Sequence, residues 1–439
     1  MKSIVDLHIH SKYARACSKD LSLENLEKWS RIKGTTLIGT GDFQHPKWNQ
    51  EIKGKLVPED GTGILRSKTG FPFICTSEIS LMYTQGGKGR RIHFLLFAPN
   101  LEVVGQITDR LLKKGRLDYD GRPIFGFSAI ELVDMMSSVS PDIEIVPAHC
   151  MTPWFGNFGE KSGFDSLEEC FQEKAKHIHA VETGLSADPQ MLWRLPFLDK
   201  IQLVSFSDLH SYWPWRLGRE ATILDIKDLT YQNILKSIRT GEGLAGTYEC
   251  SPSYGKYHVD GHRLCGISLD PADSKKLNEI CPKCNRKLTV GVLSRIEELA
   301  QRPENYKPEN RPGFKSIIPL SEIICFSSGS VNPASRSTWE IYNKLIQAFG
   351  SELNVSLEAK FGDLEKIVDS KLAENIIKVR EGKVKILPGF DGVYGIPIFD
   401  PANEEKLNTT RLKVAMTQMP EKEKTAKQDK KQKSLTDFK

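Results

Sequence analysis

The stretch Ser3-Ile-Val-Asp6-Leu-His8-Ile-His10 governs the reading of the chain. An apolar, β-branched start followed by strict alternation describes a strand, and a period of two puts His8 and His10 on one face. Two imidazoles so placed can hold one metal ion as neutral nitrogen donors. Related arrangements recur. Gly39-Thr-Gly-Asp42-Phe-Gln-His45 ends a second apolar run, and Asp208-Leu-His210 follows a seventh. The runs are residues 4–7, 36–39, 71–76, 92–97, 143–147, 179–182 and 202–206, and each ends in or near ionisable side chains. Helical patterns separate several of them. One covers residues 23–32, with Ser22 as N-cap and Gly34 as the stop; others cover 127–138 and 166–176. Alternating strands and helices predict an α/β fold with a parallel sheet. Seven units crowd an open sheet, so the expectation is a closed, distorted barrel whose strand ends carry the chemistry on one face.

On that reading His8, His10, Asp42, His45, Glu78, His149, Asp208 and His210 lie at or just past strand ends. His93 is the exception, near the start of its run. A single strand histidine is more often a packed or surface residue than a ligand. Nine ionisable groups at equivalent places are not explained that way, because buried carboxylates and imidazoles are costly without partners. Shared cations remove the cost. A mixed imidazole and carboxylate set without thiolate suits Zn, Mn or Fe, and two or more close ions suit in-line displacement at phosphorus.

Composition sets the frame. The 439 residues predict two or three domains. No apolar run is long enough for a bilayer span and the N-terminus has no signal-peptide pattern, so a soluble, cytoplasmic protein is expected. The net charge of +5 is uneven: the segment 413–439 has eight Lys against four acids, and the remainder is near neutral. Nine cysteines without a secreted-type framework favour metal over disulfides. No nucleotide-binding P-loop motif occurs.

The order HxH, DxxH, E, H, H, DxH resembles the PHP (polymerase and histidinol phosphatase) phosphoesterases. The resemblance covers about 240 residues and implies a distorted (β/α)7 barrel with a trinuclear site. It implies that His8, His10, Glu78 and Asp208 hold one metal. Glu78, His93 and His149 would hold the second, with Glu78 bridging, and Asp42, His45 and His210 the third. The catalytic ions would be Zn2+, Mn2+ or Mg2+.

Beyond the barrel (1–245), residues 246–300 form a Cys/His-rich module. His262-x-x-Cys265 and Cys281-x-x-Cys284 have the spacing of a closed structural zinc site, with His258 or Cys250 as alternatives to His262. Residues 301–312 are Pro-rich and polar, and the domain 301–412 is expected to be α-rich. In it, 337–349 sets Trp339, Tyr342, Leu345, Ile346 and Phe349 on one helical face, and 363–380 forms a second helix. Residues 413–439 lack a core-forming pattern and are expected to be disordered. There, Gln432, Leu435 and Phe438 resemble the box that binds the PCNA sliding clamp, which hints at an archaeal, nucleoid-associated protein.

Aromatic and basic residues crowd the ligand loops. Trp154 follows His149, Arg216 follows His210, Lys88, Arg90 and Arg91 precede His93, and Arg15 follows His10. Bases can stack on aromatics, and Arg or Lys can bind phosphate. With the start 6–16, the 255–263 segment, the Cys-Pro-x-Cys pair and Pro388-Gly-Phe-Asp-Gly-Val-Tyr-Gly395, the chain resembles the endonuclease Q family. That resemblance implies a DNA repair endonuclease cutting 5′ to deaminated bases (uracil, hypoxanthine, xanthine) and abasic sites in double-stranded DNA, with the damaged nucleotide flipped out. The competing expectations are a small-molecule, histidinol-phosphatase-like enzyme and a non-catalytic scaffold that binds DNA damage.

Overall fold

The computed structural model describes residues 1–417. The architecture is mixed α/β around a central sheet. Seven strands follow one another round the core: β1 (Lys2–Asp6), β2 (Leu37–Gly39), β3 (Pro72–Gln85), β4 (Lys88–Ala98), β5 (Glu144–Pro147), β6 (Ala180–Glu182) and β7 (Gln202–Val204). β1, β2 and β3 are parallel. β6 and β7 are also parallel. The Cys150 N–H donates to the Glu182 carbonyl (2.9 Å), joining the end of β5 to β6. The round is completed where Ile9 bridges Leu209 in parallel and the Ser207 N–H donates to Asp6 Oδ1 (2.9 Å). Beside β1, an outer pair continues the sheet: β8 (Ala221–Asp225) runs antiparallel to β1, and β9 (Leu244–Glu249) antiparallel to β8.

The expected parallel sheet is interrupted by antiparallel pairs, of Ile64–Arg66 with β3 and of β3 with β4. β3 and β4 form a hairpin through Gly86 and Gly87, both at positive φ, with no helix between them. β4 is antiparallel to both of its neighbours. This explains the odd position of His93: in a reversed strand, the early half lies at the end where the parallel strands finish.

The helix Leu23–Lys33 starts at Ser22, whose side chain accepts from the Asn25 N–H, and stops at Gly34 in the left-handed region (φ 99°). Other elements depart from expectation. The 166–176 segment divides into a short α-helix, Leu167–Phe171, and a 3-10 turn, Gln172–His177. The 363–380 segment divides into Phe361–Leu364 and Ser370–Arg380, the latter started by Asp369 capping the Leu372 N–H. The last helix, Glu404–Thr417, crosses the expected boundary at 412. Its Leu412 and Ala415 pack on Val259, Phe390 and Val393, an apolar anchor that local sequence does not reveal. Gln432, Leu435 and Phe438 lie outside the described residues.

The C-terminal helices Leu320–Ser327, Arg336–Phe349, Glu352–Leu357 and Ser370–Arg380 share a core that includes Ile323, Tyr342, Leu345, Val355 and Ile376. A buried ion pair ties this unit to the central fold. Lys33 Nζ lies 2.6 Å from Glu352 Oε1 and also donates to the Pro214 carbonyl at 2.8 Å. Glu352 accepts from the Leu320 N–H (3.0 Å) and the Tyr342 hydroxyl (2.8 Å) as well. Removing one partner of such a pair leaves an uncompensated buried charge. Lys33→Met is therefore expected to cost about 3–5 kcal/mol in urea unfolding. A loss under about 1 kcal/mol would mean that water reaches Glu352.

Candidate metal centre

Glu78, near the middle of β3, is the hub. Its Oε2 faces His10 Nε2 (3.1 Å) and His8 Nε2 (3.5 Å); its Oε1 faces His93 Nδ1 (2.7 Å) and His149 Nε2 (3.2 Å). Asp208 Oδ1 lies 3.4 Å from His8 Nε2 and 3.2 Å from His10 Nε2. Two donor groups result, each with its ligand atoms within 4.8 Å of one another: His8, His10, Glu78 and Asp208, and Glu78, His93 and His149. The strand periodicity is what aims His8 and His10 at one point.

Asp42, His45 and His210 are not gathered into such a group among the described residues. Asp42 is committed elsewhere. Its Oδ1 lies 3.1 Å from His10 Nδ1, and its Oδ2 accepts from the Ser11 N–H (2.7 Å) and hydroxyl (2.6 Å). His210 Nδ1 is 3.0 Å from the Asp208 carbonyl, and its ring lies 4.8 Å from that of His10. The His45 ring stacks on Tyr13 at 4.6 Å.

Several buried donors in this cluster have no hydrogen-bond partner: His8 Nε2, His10 Nε2 and Asp208 Oδ1, all converging on one space. Orphaned polar atoms are rare in protein interiors. Nitrogen and carboxylate donors so arranged fit a divalent cation. The backbone agrees. Asp42 (φ 42°), His149 (φ 32°) and Asp208 (φ 46°) all adopt left-handed conformations just beyond their strands. Such conformations cost about 1–3 kcal/mol each and cluster at functional sites.

The charges show what cations would replace. Burial opposes ionisation of His8, yet the carboxylates of Glu182, Asp208 and Glu78 outweigh it and hold the imidazole pKa well above its usual value. Burial likewise opposes His10, and Asp42, Asp208 and Glu78 reverse it. Burial would raise Glu78, but the charges of Arg122 and His8 bring it well below the ordinary carboxylate range. His93 goes the other way: burial lowers it to about 3, leaving a neutral ligand. At neutral pH, His8 and His10 therefore carry protons when no metal is bound. Metal loading requires their Nε2 atoms unprotonated, so it should release protons and weaken as pH falls. Calorimetric Mn2+ titrations in buffers of different ionisation enthalpy measure the release; a buffer-independent heat would contradict it.

Sequence reasoning missed two residues here. Glu182 is buried at the end of β6. His8 Nδ1 lies 2.9 Å from its Oε1, and its Oε2 accepts from the His149 N–H at 2.6 Å. One carboxylate thus orients a ligand of each donor group, a support typical of metal-binding histidines. Its signal was available, since it ends the sixth apolar run. Arg122 lies 3.0 Å from Glu78 Oε2 and sits in a loop that no periodicity marks.

The expected DNA contacts separate. Arg90 turns inward, 2.7 Å from Glu169 and packed on the Phe164 ring. Lys88, Arg91 and Arg15 are exposed, with Arg15 Nε 3.5 Å from Asp120. Trp154 meets Tyr257 edge-on at 5.1 Å, and Arg216 lines a cavity of about 300 Å³ with Trp215, Tyr254, Glu322 and Tyr394. In the small module, donor atoms of His262, Cys265, Cys281 and Cys284 lie within 4.8 Å of one another. His258 and Cys250 are elsewhere: His258 is outside that group, and Cys250 donates to the Arg219 carbonyl.

The two donor groups around Glu78 are of the kind that hold divalent cations in metal-dependent enzymes. Similarity to known proteins is more specific. The chain is 31% identical to the lesion-specific endonuclease PfuEndoQ of Pyrococcus furiosus, over 93% of this chain and 99% of that one, with a TM-score of 0.81. Against an endonuclease Q bound to a 27-mer duplex with an abasic lesion at its active site, the figures are 32%, 92% and 98%, with a TM-score of 0.82. The chain belongs to the endonuclease Q family and is an enzyme of the metal-dependent nuclease class. The family profile described as the MJ0043 C-terminal domain matches residues 319–383. The uncharacterized YqxK of Bacillus subtilis is 31% identical over 90% of this chain and 99% of its own length. The uncharacterized MJ0043 of Methanocaldococcus jannaschii is 35% identical over 67% of this chain; the match spans only 36% of that relative's length. No helix among the described residues is long and apolar enough to cross a membrane.

Proposed function

We propose that the protein incises double-stranded DNA on the 5′ side of deaminated bases and abasic sites, at a PHP-type metal centre within a distorted (β/α)7 barrel. The single observation carrying the reading is the double donor group around Glu78, in a chain similar over nearly its whole length to an endonuclease bound to abasic duplex. Divalent cations there supply Lewis-acid stabilisation of phosphoryl oxygens and the acidity that makes water a nucleophile near neutral pH. His8, His10, Glu78 and Asp208 would hold one ion, and Glu78, His93 and His149 the other. Glu182 fixes the orientation of His8. Asp42, His45 and His210 are reserved for a third ion, taken up only if their side chains turn.

The cavity beside the loop that follows His210 supports extrusion of a nucleotide. Trp215 and Tyr394 offer ring faces to a base, and Arg216 and Glu322 offer a donor and an acceptor. The His262, Cys265, Cys281 and Cys284 cluster would hold a structural zinc. The segment with Gln432, Leu435 and Phe438 would recruit a sliding clamp.

The test uses the full-length chain with Mn2+ and three labelled duplexes: undamaged, uracil-containing and abasic. Nicking confined to the damaged strands, immediately 5′ of the lesion, is expected. Hydrolysis of histidinol phosphate alone, or DNA binding without cleavage, would overturn the proposal.

A further inference from the structure

We infer that Arg122 is a further catalytic residue, its guanidinium gripping a non-bridging oxygen of the scissile phosphate while it steadies the shared ligand Glu78. This rests on the incision reading above. Among the described residues, Arg122 is the one Lys or Arg side chain in ion-pair range of the Glu78 hub, at 3.0 Å from Oε2.

The loop that delivers Arg122 is built closely onto the site. Asp120 accepts from the Arg122 N–H (3.1 Å) and the Arg15 N–H (3.1 Å), tying this loop to the one after His10. The Gly121 N–H donates to the Tyr13 carbonyl (3.2 Å), and the Gly121 carbonyl accepts from Gln44 Nε2 (2.5 Å). A Cβ at Gly121 would run into the Asp42 carboxylate, so only glycine lets the backbone pass this close to the ligands. Just beyond, the Pro123 carbonyl accepts from the Ser80 N–H (3.0 Å), on the strand that carries Glu78. The loop is thus pinned on both sides of Arg122.

A guanidinium has five donors. One of Arg122's faces Glu78, and the side chain keeps 24% exposure. Donors left over, beside a cation-binding carboxylate and open to solvent, suit a phosphate held bidentately. Arg90 cannot serve, because its guanidinium is spent on Glu169 and Phe164.

Single-turnover incision of an abasic duplex by the full-length chain, with calorimetric Mn2+ binding in parallel, tests this. Arg122→Ala should slow incision about 10²–10³-fold at saturating Mn2+. Mn2+ affinity should stay within about threefold, and free methylguanidinium should restore about tenfold or more of the lost rate. Arg122→Lys, which keeps the charge without the fork, should recover only part of the rate; it also serves if the alanine variant folds poorly. Rates within about threefold of the unmodified chain would overturn the assignment. So would a loss cured by more Mn2+, which would make Arg122 merely a support for Glu78. If the unmodified chain fails to nick the duplex, the incision reading falls and takes this one with it; if it nicks and the variants nick equally, only this one falls.

Discussion

Glu78→Gln is expected to reduce incision of lesion-bearing duplex on the order of 10³-fold or more, and to cost the protein both cation sites together. Other ligand substitutions act on one donor group; Glu78 belongs to both. The amide keeps the shape and one acceptor, but it removes a negative charge from a space ringed by His8, His10, His93, His149 and Arg122. The metal-free protein should suffer too. Glu78 holds a pKa well below that of a free carboxyl, so it stabilises the fold above about pH 4.5, and that contribution is lost as pH falls through the lowered value. The variant should therefore melt lower than the parent at pH 7 and differ less from it in acid. Elemental analysis after Mn2+ loading, with single-turnover incision and a melt at two pH values, checks all three. Full metal content with incision within about tenfold of the parent would remove Glu78 from the bridging role.

Much of this centre is legible in the sequence because strand periodicity is local. Alternation alone aligns His8 with His10, and the run ends bring Glu78, His149 and Asp208 to the same rim. What stays hidden depends on contacts distant in sequence. His93 looks misplaced until β4 is known to be reversed, a property of the β3–β4 hairpin and not of the residue. Glu182 reads as the polar end of an apolar run, and its partners His8 and His149 are 174 and 33 residues away. Arg122 lies in a loop without periodicity, and its meaning comes from Gly121 passing Asp42. An order of residue types does not state which rotamers side chains occupy, and in this structure Asp42 lies against Ser11 and His10.

Domain boundaries behave similarly. The boundary expected at residue 245 falls inside β9, which spans Leu244–Glu249 and stays in the sheet by pairing with β8 on one side and Phe314–Ser316 on the other. The boundary at 412 falls inside a helix. The charge pattern of Glu404–Thr417 gives no amphipathic stripe, yet Leu407 is buried with Ile396 and Ile398, and Ala415 packs on Phe390. Tertiary packing, which local propensity does not encode, extends that helix.

Cys281→Ser should unfold the small module while leaving the central fold intact. The module has little core of its own: besides Leu288 and Val290 it rests on the cluster Val259, Phe390 and Val393, and two of those three come from a loop far along the chain. Its strands Asp260–His262 and Ile267–Leu269 form only a two-stranded pair, which is marginal alone. A four-ligand zinc site can supply about 10–16 kcal/mol of folding free energy, more than such a core provides. Cys281 is the buried member of the set. Burial of its sulfur is outweighed by backbone donors from Lys283 and Cys284 and by His262, which bring its pKa down to about 6, so the thiolate needed for zinc forms readily at neutral pH. Serine offers neither that charge nor that softness. Hydrogen exchange should rise across residues 256–290 and remain low in β1 to β7. The damage should still reach DNA incision, because Arg295 at the module's edge donates to the Phe158 and Phe164 carbonyls, and Trp154 packs on Tyr257. Those contacts hold the loop that follows His149 in place. A variant with one fewer zinc per chain but unchanged exchange in 256–290 would show that the module folds without the ion.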